Sequence, residues 1–141
     1  MNNLAKSRPP IDSPIPFPEQ YAEFFILFNA RKYFDAHEVL EDLWIMETGE
    51  EKNYYKGLIM LVIALEHLCR GNLAPAMRLH RDAKAYLFPY AEYYMGFQLK
   101  AFITTVNELI VQSEKRTTET GKCTTNLQEH PTLRIDVFHW T

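Results

Sequence analysis

The stretch from Leu58 to Leu68, LIMLVIALEHL, is apolar almost all round when wound into a helix. A helix with no polar face needs other helices on every side of it. This one segment therefore requires a bundle with a central helix, and the rest of the chain must supply its neighbours. The run Leu58–Leu65 is also far short of the roughly 20 apolar residues that span a bilayer, so the segment reads as core and a membrane partner is not expected. With 141 residues, 47% of them apolar and only five glycines, the chain suits one globular domain with a sizeable core.

Apolar spacing at a period near 3.6 places the neighbours. A first helix is expected from about Pro18 to Ala30, with Tyr21, Phe24, Phe25 and Phe28 inward and proline in the first turn, where its missing N–H costs nothing. After a turn at Arg31-Lys32, a second helix covers about Tyr33 to Glu47. At about 100° per residue, Tyr33, Ala36, Leu40, Leu43 and Trp44 share its inner face. Thr48-Gly49 is expected to end it, with glycine in a C-terminal role. The central helix runs from about Glu50 to Arg70, and Gly57 inside it predicts a close helix–helix approach. Gly71 stops it and Asn72 caps a fourth helix that carries Ala76, Leu79, Ala83 and Leu87 inward. A fifth, about Phe97 to Glu114, follows the aromatic link YAEYYMG. The fold class is thus all-α: a single-domain bundle of about five helices containing two helix-turn-helix hairpins. Residues 1–17, rich in Pro, Ser and Asn, read as an extended leader, 18–115 as the bundle, and 116–141 as an extended tail. Leu133, Ile135 and Val137 alternate there as a strand would, with no second strand to pair with, so the end reads as an arm.

Residues Tyr21 to Leu43 can be laid on Leu61 to Ala83 at a constant offset of forty, with Phe25 on Leu65, Phe28 on Leu68, Tyr33 on Leu73 and Ala36 on Ala76. Each half is a helix, a tight turn and a helix with alanine near the start of the second, which resembles a tetratricopeptide-like hairpin. Two unrelated amphipathic hairpins would also match in this way, and both readings stay open.

A net charge of −3 lacks the basic bias of a duplex-binding module, so nucleic acid is not expected as a partner. Cys69 and Cys123 have no metal-ligand or redox spacing, and Cys69 reads as a small core residue. The N-terminus has no apolar segment of the secretory kind; the expected setting is cytoplasmic. The tyrosines Tyr86, Tyr90, Tyr93 and Tyr94 lack interleaved basic residues and read as packing or as an interface, with a homo-oligomer in view.

The most distinctive text is HEVLEDLW, His37 to Trp44. His37 and Glu41 stand one turn apart on one face and could jointly ligate a divalent metal. Two ligands are too few, and His67 and Glu66 on the central helix, with His80 on the fourth, are the available others. His37, Glu41 and His67 form the expected metal set, in a polar cluster with Glu38, Trp44 and Asn29. The competing reading is a satisfied core histidine that locks two hairpins together. No nucleophile motif, phosphate loop or dinucleotide fingerprint is present.

The runs FNARKYFDAHEVLEDLW and KGLIMLVIALEHLCRGNLAPAM resemble the domain of unknown function family 309, over about Phe24 to Leu87. The family pattern, as it stands here, includes Asn29, Tyr33, His37, Glu38, Glu41, Trp44, Gly57, Leu58, Ile59, His67, Gly71, Asn72 and Ala76. The resemblance implies a small all-helical fold and a polar site, with no established activity. The family tends to carry glutamine after Gly-Leu-Ile, where this chain has Met60, which removes a polar partner beside His67. Two functions follow as expectations. One is a small-molecule or divalent-metal binding domain at His37, Glu41 and His67. The other is an interaction or self-association module in which the cluster is purely structural.

Overall fold

A computed structural model describes residues 17–120, with side chains to Thr117. The leader up to residue 16 and the arm beyond residue 120 lie outside the described residues. Five helices follow one another: α1 (Glu19–Asn29), α2 (Tyr33–Met46), α3 (Glu51–Cys69), α4 (Leu73–Leu87) and α5 (Leu99–Thr120). Helix α3 is central and packs against α2, α4 and α5, while α1 packs on α2. Its Leu58, Leu61, Val62, Ala64, Leu65 and Leu68 are all buried, as an all-round apolar helix must be. No helix of the described residues is long and apolar enough to cross a membrane.

The offset of forty is structural. At the first joint Ala30 has φ −84° and ψ 5°, Arg31 has φ 65° and Lys32 has φ −97° and ψ 68°. At the second, Arg70 has φ −89° and ψ 2°, Gly71 has φ 79° and Asn72 has φ −94° and ψ 80°. The hydrogen bonds repeat as well. Lys32 N–H donates to Leu27 O at 2.9 Å and Arg31 N–H to Phe28 O at 2.9 Å; Asn72 N–H donates to His67 O at 2.8 Å and Gly71 N–H to Leu68 O at 3.1 Å. Both joints end a helix with one left-handed residue and a Schellman closure that satisfies the last carbonyls. Ala36 and Ala76 are fully buried at the matching place in the next helix, and Leu40 corresponds to His80. Two hairpins, α1/α2 and α3/α4, each closed by the same joint, are thus followed by α5.

Two further features close the bundle. Gly57 lets α3 and α4 touch: a methyl built there would sit 2.6 Å from Leu87 Cδ2 and would also collide with Cγ. The link from residue 88 to 98 folds back through a two-residue turn, Met95 (φ 49°) and Gly96 (φ 73°), with Tyr94 and Phe97 bonded in both directions. Both central residues have the positive φ of a type I′ turn. The turn delivers the Met95 carbonyl to the Tyr21 hydroxyl at 2.9 Å, and Tyr21 and Tyr54 hydroxyls meet at 2.7 Å. Burial pushes both hydroxyls well above the usual tyrosine range, so both stay protonated. Tyr90 and Tyr94 bond to the Glu50 carbonyl and the Glu51 carboxylate, while Tyr86 and Tyr93 remain exposed.

Several sequence expectations are corrected. Cys69 is exposed rather than core, because the buried register of α3 runs through residues 61, 62, 64, 65 and 68 and leaves 69 on the far side. Glycine does not end α2: Glu47 leaves the helix in an extended conformation, and its carboxylate accepts the Gly49 N–H at 2.9 Å. Asn72 stands at the N-cap of α4 without a side-chain cap bond. Helix α5 continues to Thr120, past the expected end at Glu114, and Thr117 Oγ1 donates to Ser113 O at 2.8 Å within it.

Candidate functional site

Helix α2 buries Tyr33, Ala36, Leu40 and Leu43, which leaves His37, Glu41 and Trp44 on the edge of that face, turned toward the seam with α3. His37 is flanked by a carboxylate at each ring nitrogen. Nε2 lies 3.7 Å from Glu41 Oε2 and Nδ1 lies 3.6 Å from Glu66 Oε2. The side chains of His37 and Glu66 are 16% and 11% exposed, that of Glu41 48%. The Glu66 contact is therefore the shielded one. Both distances exceed hydrogen-bond length, and His37 Nδ1 and Glu66 Oε2 are buried with no hydrogen-bond partner among the described residues. The Phe34 ring meets the imidazole edge-on, with centroids 5.8 Å apart.

Two turns of α2 further along the same seam, Lys52 and Lys56 Nζ sit 4.6 and 4.7 Å from the centroid of the Trp44 ring, a cation–π distance. Lys52 Nζ also donates to the Trp44 carbonyl at 2.8 Å, placing positive charge where the α2 carbonyls end. The seam is thus a continuous strip, with His37–Glu66 at one end and Trp44 under two lysines at the other. Lys52, Lys56, Ile59, Ile63 and Glu66 share one stripe of α3 at helical spacing. That spacing was the available signal for the two lysines, which the motif-centred reading passed over.

The expected cluster is only partly brought together. His37, Glu41 and Trp44 lie on the seam. His67 does not complete the expected trio: its Nδ1 faces Asn72 Nδ2 at 3.4 Å, at the α3–α4 joint, and Glu66 occupies the place beside His37. Among the described residues no group of three or more His, Cys, Asp or Glu side chains is arranged to hold a metal ion. Glu38 is exposed on the outer side of α2, and Asn29 is half-buried at the end of α1. Met60 packs against the core. A shallow hollow of about 340 Å³, lined by Glu92, Tyr93, Gln98 and Ala101, shares no residue with the cluster.

His80 is 4% exposed, in the register that Leu40 fills in the first hairpin. Burial first, and then the Lys84 charge, hold its pKa below the ordinary 6.5, with the Ile103 backbone opposing them. Its Nε2 is buried without a hydrogen-bond partner among the described residues. A neutral imidazole here does the work of a core leucine.

Residues 21–79 match the family model DUF309, a domain of unknown function. The uncharacterised protein YpuF of Bacillus subtilis (strain 168) is 40% identical over 65 residues, 45% of this chain and 37% of the relative. The chain therefore aligns with little more than a third of that relative's length. No solved structure matches.

Proposed function

We propose, from the premise that residues 21–79 form a DUF309 domain, that this chain is a protein-interaction module of tetratricopeptide-like hairpins. The observation that carries the reading is the joint repeated residue by residue at an offset of forty. Repeats of this kind contact chiefly their neighbours and present long outer faces to partners. In that architecture His37 and Glu66 have a mechanical task. They join the second helix of one hairpin to the first helix of the next, and Trp44 with Lys52 and Lys56 does the same at the other end of the seam. A cytoplasmic setting without nucleic acid belongs to the same proposal.

A second reading, a small-molecule or divalent-metal site at the cluster, draws support from the unbonded buried pair His37 Nδ1 and Glu66 Oε2, since buried polar atoms are ordinarily satisfied. Elemental analysis of the full chain purified without a histidine tag separates the two, with His37→Ala as control. The interaction reading expects no stoichiometric metal in either protein. One metal per chain, lost in the variant, overturns it.

A further inference from the structure

Two outward helix faces match each other in spacing and oppose each other in charge. On α2, Phe34, Glu38, Glu41 and Ile45 recur at i, i+4, i+7 and i+11, so they form one stripe down the helix. Phe34 is 54% and Ile45 63% exposed, and both glutamates are exposed. On α4, Met77, Arg81, Lys84 and Phe88 recur at the same four intervals. Phe88 keeps helical geometry, with φ −51° and ψ −42°, and is 83% exposed. Met77 is exposed, as are Arg81 and Lys84. Each stripe therefore reads apolar, charged, charged, apolar over about 16 Å at 1.5 Å per residue. The charges are acidic on α2 and basic on α4.

Laid antiparallel, the stripes register at every station: Phe34 on Phe88, Glu38 on Lys84, Glu41 on Arg81 and Ile45 on Met77. The short joints on either side of α3 make α2 and α4 run the same way within one chain. A twofold axis across them therefore sets α2 of one copy antiparallel to α4 of the other, and forms the same seam twice. Among the described residues Arg81 pairs with its own neighbour Asp82, at 3.4 Å, an exposed pair with little hold on it.

We infer that the partner of these faces is a second copy of this chain, in a twofold dimer with two α2–α4 seams. The inference rests on the interaction reading and names its partner. The apolar stations exclude water at the ends of each seam, and the two charged stations between them fix its direction and register, as flanking charges do between paired helices.

Charge reversal on the full chain tests it, with mass read by light scattering and sedimentation and folding by circular dichroism. The wild type is expected at twice the 16.6 kDa chain mass. Glu38→Lys/Glu41→Lys and Arg81→Glu/Lys84→Glu are each expected as monomers. Mixed in equal amounts they regain the dimer, because both seams of the mixed pair again carry opposite charges. Wild-type association should also weaken by about tenfold or more between about 0.1 M and about 1 M salt, as the screening length shrinks from ~10 Å to ~3 Å. Should a double variant fail to fold, Glu38→Lys and Lys84→Glu alone serve; both are surface changes, and neither touches the His37 contacts. Folded variants that still dimerise, or a mixture that stays monomeric, overturn the assignment. A monomeric wild type at about 100 µM, where even a weak dimer of micromolar affinity forms, also overturns it, while leaving the interaction reading to the metal analysis.

Discussion

Gly57→Ala tests the packing that positions the second hairpin. In an exposed helix interior this change stabilises by about 1 kcal/mol, because alanine is the better helix former. Here the new methyl lands 2.6 Å from Leu87 Cδ2 and 3.2 Å from Cδ1, and it also meets Cγ. A terminal methyl alone could swing aside. The branch point Cγ cannot, because Leu87 is 1% exposed and enclosed by the core. Overpacking of this kind costs about 1–3 kcal/mol, so the net expectation is a destabilisation of about 0–2 kcal/mol. The sharper measurement is the double-mutant cycle with Leu87→Ala, which alone should cost about 2–5 kcal/mol. With the leucine gone the clash goes too, and Gly57→Ala should then stabilise by about 1 kcal/mol, reversing sign. Urea unfolding of the four proteins, with unchanged m-values, reads this directly. The same effect in both backgrounds, or a stabilising Gly57→Ala in the wild type, would refute the close-approach argument.

Further expectations follow from the repeated joint and the buried histidine. His80 takes up a proton more readily unfolded than folded, so its contribution is complete above pH 6.5 and is lost as pH falls below that value. The slope it adds is at most about 1.4 kcal/mol per pH unit. His80→Leu, which copies Leu40, should flatten the stability profile between pH 6.5 and pH 5 in urea melts; an unchanged slope would contradict the burial assigned to it. Arg31 holds φ 65°, a conformation costing a side chain about 1 kcal/mol or more, so Arg31→Gly should raise the melting temperature. Gly71→Ala should lower stability by about 1–2 kcal/mol for the converse reason, and changes of the same sign at the two joints would argue against their equivalence.

The five helices were legible because each buries a stripe at the helical period, and Gly57 was read correctly as a close approach. Apart from Lys52 and Lys56, what escaped had no periodic signal. The extension of α5 to Thr120 carries threonines in place of an apolar face, and one of them bonds back to the preceding turn. The turn at Met95-Gly96 lacks the Asn-Gly or Asp-Gly pair that marks a two-residue hairpin. At the seam, His37, Glu41 and Trp44 could be grouped because they share one helix. Their partner could not be chosen. Glu66 and His67 are consecutive and point about 100° apart, and a helical wheel gives no direction to a neighbouring helix. The packing of α3 on both sides decides it, turning Glu66 to α2 and His67 to the α4 joint.

The two joints also define a unit cell. The forty residues from Tyr33 to Asn72 begin and finish at equivalent points, each following a left-handed residue and a closed helix end. A gene in which that stretch is written twice would re-enter its own sequence in phase, with α3 met by another copy of α2 in the place of α4. Lengthening by whole periods is thus open to this chain without a new kind of turn, and the length of such a protein becomes a matter of how many times one stretch is copied.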